Sequence, residues 1–253
     1  MKLLDSYSIE SEGVPAQVVI SRKDDEFIDT YELTYTKIRD ATQVVLNHLK
    51  EKIIEEIELK TSEILDPREL DKVKARLILK AHEMISKTLP SLSVEEEKMF
   101  VGTLVHEMLG LGPLELLMSD ENLEEVVVNS AREPVFVYHK KFRWLKTNLY
   151  LPSEEQIYNY SAIVARKVGK QITTLHPLLD AHTVAGHRVN STLFPISTKG
   201  NTITIRKFKK DPWTIIHLLS PELGTINLEV ASLLWLAVQY EINILIGGGT
   251  ASG

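Results

Sequence analysis

Two features of this sequence could do chemistry on a phosphate. The first is Gly247-Gly248-Gly249-Thr250-Ala251-Ser252-Gly253, in which Gly248 and Gly253 stand at G-x-x-x-x-G spacing directly after the apolar run Asn243-Ile244-Leu245-Ile246. Glycines so spaced let successive backbone N–H groups turn inward around an anion, and a helix N-terminus completes such a site. A full phosphate-binding loop also needs a Lys for the β- and γ-phosphates and a Ser or Thr for Mg²⁺, at the two positions after Gly253. Spacing alone fits a flexible Gly/Ser tail as well. The preceding apolar run favours the loop, because it reads as a short strand buried on both faces. The second feature is the pair Arg188 and Arg206, whose guanidinium forks suit phosphate oxygens. They fall in neighbouring strand candidates, 188–194 and 202–208, and alternation sends Lys207 to the opposite face. Surface ion pairs or a solvated strand edge would use the same two residues.

Three other constellations are weaker. His176, His182 and His187 lie five or six residues apart in a Pro-containing stretch, near Asp180. They lack the tighter spacing of a helical metal motif such as H-E-x-x-H, so no metal site is expected. Lys207, Lys209 and Lys210 with Phe208 and Trp213 resemble the basic and aromatic mixture that stacks single-stranded bases. Beside a linker, so short a run reads instead as a solvated face, and no nucleic acid is expected. Leu233, Leu234, Trp235 and Leu236 read as core.

The elements that must position these residues follow from periodicity. The first 35 residues are a β-rich lead-in, with strand candidates at 17–20 and 27–35 around a polar turn at 22–26. Ile38, Ala41, Val45, Leu46, Leu49, Ile53 and Ile57 then repeat at three and four, the spacing of an amphipathic helix. Asp66-Pro67-Arg68-Glu69 sets an N-cap, a first-turn proline and a capping-box glutamate ahead of the stripe Leu70, Val73, Leu77, Ala81, Met84. A third helix begins at Ser93 with Glu96 in the box position and breaks at Gly110-Leu111-Gly112-Pro113. Strand candidates follow at 125–129, 135–139 and 143–150, then a helix opened by Ser153 and closed by Gly169, then the two arginine strands. Asp211-Pro212 marks a linker, and Asn227 caps a helix running to about Tyr240. The fold class is α+β. Residues 1–110 form the lead-in and an acidic helical subdomain, 111–210 a two-layer α/β sheet domain, 211–227 a linker, and 228–253 the first helix and strand of a further α/β domain.

Composition bounds the function. The chain has 253 residues, 43% hydrophobic and 25% charged, which is the make-up of a folded globular protein rather than a disordered one. It has no cysteine, which excludes disulfides, thiolate metal sites and a thiol nucleophile together. Met1-Lys2-Leu3-Leu4 meets Asp5 before an apolar run develops, so no signal peptide is expected, and no stretch reaches the roughly 18 apolar residues of a membrane span. The net charge of −6 arises wholly before residue 100. Between Arg132 and Lys210, 14 bases face only Glu133, Glu154, Glu155 and Asp180, an excess of ten that calls for an anionic partner.

These motifs together resemble the type II/IV secretion ATPase superfamily, whose members drive secretion, pilus assembly and archaellum rotation. Ile244 to Gly253 resembles the start of its Walker A segment. The stretches Gly186-His187-Arg188-Val189-Asn190 and Thr204-Ile205-Arg206-Lys207-Phe208, then the helix with Leu233-Leu234-Trp235-Leu236-Ala237, resemble its text before that segment in order and spacing. Glu125-Val126-Val127-Val128-Asn129 and Val135-Phe136-Val137-Tyr138-His139 are similar to its N-terminal sheet, and Trp144-Leu145-Lys146-Thr147-Asn148 is most similar to archaeal members. The match covers about 95 to 253. It implies a RecA-like P-loop domain begun at 228–253, with Gly248, Gly249, Thr250, Ala251, Ser252 and Gly253 at the nucleotide and Arg188 and Arg206 sensing its phosphates. It further implies ATP and Mg²⁺ as cofactors, a cytoplasmic homo-hexamer, and force handed to a polytopic inner-membrane platform protein. The family's remaining catalytic groups would lie after Gly253, so this chain is expected to be the N-terminal part of a longer ATPase. By itself it should be inactive and bind ATP more weakly than about 0.1 mM, lacking charge-assisted contacts worth roughly 1.5–3 kcal/mol each. The competing reading is a non-catalytic module that binds nucleic acid or a partner protein through its basic segment.

Overall fold

The computed structural model describes residues 2–24, 26–36, 40–56, 67–183, 185–208 and 213–249. They fall into two compact units, Met1–Phe208 and Lys209–Gly253. In the first, strands β1 (Lys2–Ser11), β2 (Val14–Arg22) and β3 (Thr30–Tyr35) precede helices α1 (Asp40–Glu56), α2 (Pro67–Thr88), α3 (Val94–Leu109) and α4 (Leu114–Ser119). Strands β4 (Leu123–Val128), β5 (Phe136–His139) and β6 (Arg143–Thr147) follow, then α5 (Glu154–Lys167), β7 (Leu178–His182), β8 (Arg188–Thr192) and β9 (Thr202–Arg206). The second unit holds α6 (Ile215–Leu219) and α7 (Leu228–Gln239). No described helix is long and apolar enough to cross a membrane.

The nine described strands join one mixed sheet in the order β1-β2-β3-β6-β5-β4-β9-β8-β7. Among the described strands only β3 and β6 run parallel, through Thr30–Lys146 and Tyr31–Thr147, and this pair welds the N-terminal hairpins to the rest. The sheet therefore crosses the boundary expected at residue 110. Helices α3, α4 and α5 pack on β2, on β1 and β4, and on β7 and β9 respectively. Their buried partners alternate along the strands: Val18 and Ile20, Tyr31 and Leu33, Val126 and Val128, Val189 and Ser191, Ile203 and Ile205.

Local signals account for most helices. Leu46, Leu49 and Ile53 of α1, and Val73, Leu77 and Ala81 of α2, are buried, as the three-and-four spacing requires. Ile38, Ile57 and the Asp66 cap lie outside the described residues. In α3 the Ser93 side chain accepts from the Glu96 N–H, and the Glu96 carboxylate accepts from the Ser93 N–H, so the capping box is complete. Past α3 the chain turns at Gly112, which has φ +57° and where an added Cβ would sit 2.2 Å from the Tyr160 hydroxyl. Ser153 and Asn227 cap α5 and α7 by accepting from Gln156 and Val230 N–H.

Several elements depart from expectation. β1 is an unforeseen edge strand, because its residues are polar on both sides and carry little period-two contrast. Its hairpin to β2 turns on Glu12 and Gly13, both at positive φ, as a two-residue loop between twisted strands requires. β7 replaces part of the expected histidine loop, α4 follows the glycine break, and α6 lies within the expected linker 211–227. The strand expected at Asn243–Ile246 is absent: 242–249 has no regular structure, and Leu245 is 98% exposed. An isolated extended segment has no ladder to join, and its own unit holds no described strand. Leu233, Trp235 and Leu236 are exposed rather than core, since two short helices bury too little apolar surface to enclose them.

Two histidines are buried in the first unit. His106 bonds Ser11 Oγ through Nε2 at 3.0 Å, while His139 Nδ1 accepts from the Lys141 and Phe142 N–H groups and leaves its buried Nε2 without a partner. Burial pushes both imidazoles below the ordinary histidine range. Above about pH 6.5 both states hold them neutral; below it the unfolded chain takes up protons that the folded chain refuses. Stability should therefore fall between pH 7 and pH 5, by up to about 1.4 kcal/mol per pH unit for each histidine. Urea midpoints at the two pH values check this. An unchanged midpoint would mean that the folded protein accepts both protons.

Candidate functional site

β8 and β9 are paired so that Arg188 stands directly opposite Arg206. Both are exposed, on the sheet face that α3, α4 and α5 leave uncovered. Like charges opposite one another repel, and an anion bound between them would reverse that repulsion. Arg188 donates from Nε and Nη2 to the two Asp180 carboxylate oxygens at 3.3 and 3.1 Å. This pairing holds the Asp180 carboxyl below the usual carboxylate range and raises Arg188. Because the Nε/Nη2 edge is the one engaged, the Nη1/Nη2 edge of Arg188 is left for a ligand. Arg206 has no ion pair among the described residues; its neighbour on β4 in register is Glu125.

The next residue after Arg206 behaves as alternation requires. Lys207 donates from Nζ to the Asp120 carbonyl, away from the arginine pair. Of the glycine loop, Gly248 and Gly249 are exposed in an irregular segment, whereas Thr250, Ala251, Ser252 and Gly253 lie outside the described residues, as do Lys209 and Lys210. His176 lies in a turn with Thr173, His182 on β7, and His187 Nδ1 accepts from the Phe208 N–H at 2.9 Å. Among the described residues no group of three or more His, Asp or Glu could hold a metal ion.

Sequence reasoning missed His182 as a neighbour of the arginines. Register places it opposite Arg188, so His182, Arg188 and Arg206 form one row of bases over three adjacent strands. The signal was available only through β7, which the mixed sequence around Pro177 hides.

No family model matches the chain. Three uncharacterised proteins of Methanocaldococcus jannaschii are similar to it. One is 34% identical over 264 residues, which covers 99% of this chain and 33% of its own length. The second is 34% identical over 163 residues, 64% of this chain and 29% of its own length. The third is 34% identical over 90 residues, 36% of each. The chain thus spans about a third of the length of the relatives it matches. Among solved structures, the VirB11 ATPase of the Brucella suis type IV secretion system, in complex with sulphate, aligns with 51% of this chain and 40% of its own, at 21% identity and a TM-score of 0.37.

Proposed function

We propose that the intact protein is an ATP-driven motor of the type II/IV secretion superfamily, and that this chain is the N-terminal part, which senses phosphate. The observation that carries this is the direct opposition of Arg188 and Arg206 on an open sheet face, within a segment holding ten excess positive charges. Two guanidinium forks side by side, one edge of Arg188 already fixed by Asp180, form a receptor for a polyanion. The order of motifs from Glu125 to Gly253 supports ATP as that polyanion and the glycine loop as its seat.

In this reading the loop amides cradle the phosphates, while Mg²⁺ and the Lys and Ser or Thr after Gly253 supply charge. The arginines gain contact with a γ-phosphate and lose it on hydrolysis, and that differential contact tilts one domain against the next. A cytoplasmic ring of six copies would hand this motion to a polytopic membrane partner. Whether that machine secretes, builds a pilus or turns an archaellum is left to the partner. The test is direct. The gene read past Gly253 should give Lys and then Ser or Thr, and the full-length protein should hydrolyse ATP in a manner abolished when that Lys becomes Ala. A different sequence there, or hydrolysis indifferent to the Lys, removes the proposal.

A further inference from the structure

The row of bases does not stop at Arg206. Register carries it on through Glu125 on β4, Tyr138 on β5 and Trp144 on β6, because Glu125 is opposite Arg206 and Tyr138, and Tyr138 is opposite Trp144. Residues opposite one another share a face, so His182, Arg188, Arg206, Glu125, Tyr138 and Trp144 cross six strands on the uncovered side. The row is polar in the chemical sense: three bases at one end, a carboxylate in the middle, two aromatics at the other. Tyr138 and Trp144 meet edge to face, with ring centroids 5.3 Å apart and planes at 79°, and Trp144 is 45% exposed.

We infer that this row is a nucleotide platform, on which Trp144 and Tyr138 stack the base of the same nucleotide whose phosphates meet Arg188 and Arg206. The inference rests on the phosphate reading of the arginines and adds the base-recognising end. Strands about 4.8 Å apart put Tyr138 roughly 10 Å and Trp144 roughly 14 Å from Arg206. That is the reach of an extended nucleoside triphosphate. Glu125 falls between the two ends, where a ribose hydroxyl can donate to its carboxylate. The same carboxylate argues against a nucleic-acid strand, whose continuous phosphates would be driven against it.

The experiment titrates the 253-residue chain, without Mg²⁺, with ATP and separately with tripolyphosphate, followed by NMR of the arginine Nε–H and tryptophan indole N–H groups. Both ligands should shift Arg188 and Arg206; only ATP should shift Trp144. Trp144→Ala should weaken ATP about tenfold, in line with base-on-aromatic stacking, and leave tripolyphosphate unchanged, while Trp144→Phe keeps most of the ATP affinity. If both ligands move the arginines and neither moves Trp144, the platform is overturned and the phosphate site stands. Equal weakening of both ligands by Trp144→Ala makes Trp144 a support of the sheet and likewise overturns it. If neither ligand moves the arginines, platform and phosphate site fall together. A single-stranded oligonucleotide that binds more tightly than ATP, and more so with length, overturns the nucleotide as occupant.

Discussion

On the motor reading proposed above, replacing Arg206 or Arg188 with Ala in the full-length protein should lower ATP turnover about tenfold or more. A guanidinium placed where charge develops on a transferring phosphoryl group stabilises the transition state by a few kcal/mol, and truncation removes that outright. The folded unit should scarcely notice. Arg206 has no ion pair among the described residues and faces a like charge across β8 and β9, so its removal relieves repulsion. The Arg188 pair with Asp180 is exposed to solvent, where such pairs contribute little. Melting of this chain should therefore stay nearly constant for both variants while turnover of the intact protein falls. If both variants hydrolyse ATP normally and the chain melts several degrees lower, the arginines are structural ion-pair residues and the site assignment is wrong.

The largest loss of stability is expected from Asp120→Ala. Asp120 is 1% exposed, and its Oδ2 accepts from the Tyr7 hydroxyl at 2.7 Å and the Tyr31 hydroxyl at 2.8 Å, while Oδ1 accepts from the Asn122 N–H at 2.9 Å. One carboxylate thus ties β1 and β3 to the start of β4, across more than 80 residues of sequence. Alanine would leave a fully buried Tyr31 hydroxyl and a half-buried Tyr7 hydroxyl without their acceptor, at roughly 1–3 kcal/mol for each orphaned group. A loss of about 3–5 kcal/mol is expected by urea unfolding, against about 1–2 kcal/mol for Tyr31→Phe, which removes one donor and leaves the others. An Asp120→Ala cost below about 1 kcal/mol would show that water enters and replaces the carboxylate. Burial and the neighbouring carboxylate also raise both tyrosines above their ordinary range. Since the folded values are the higher ones, their contribution is complete below about pH 10 and is lost as pH rises beyond it.

What the sequence by itself determined about this protein is what neighbours in the chain decide. The Ser93–Glu96 box, the Gly110 to Pro113 break and the stripes of Leu46, Leu49, Ile53 and Val73, Leu77, Ala81 are legible because a helix satisfies its hydrogen bonds within a few residues. Lys207 turning away from Arg206 is legible for a similar reason, since strand alternation is local. The sheet is not local. That β3 lies parallel to β6, that β9 inserts between β4 and β8, and that Arg188 meets Arg206 rather than a residue two places on are settled by register between distant segments. Register is chosen by the burial of a whole face. The edge strand β1 escaped notice because one side of it faces solvent and the other only part of the core. Leu233 and Trp235 misled for the opposite reason: an apolar helix reads as core wherever it stands, and only the tertiary structure decides whether anything covers it.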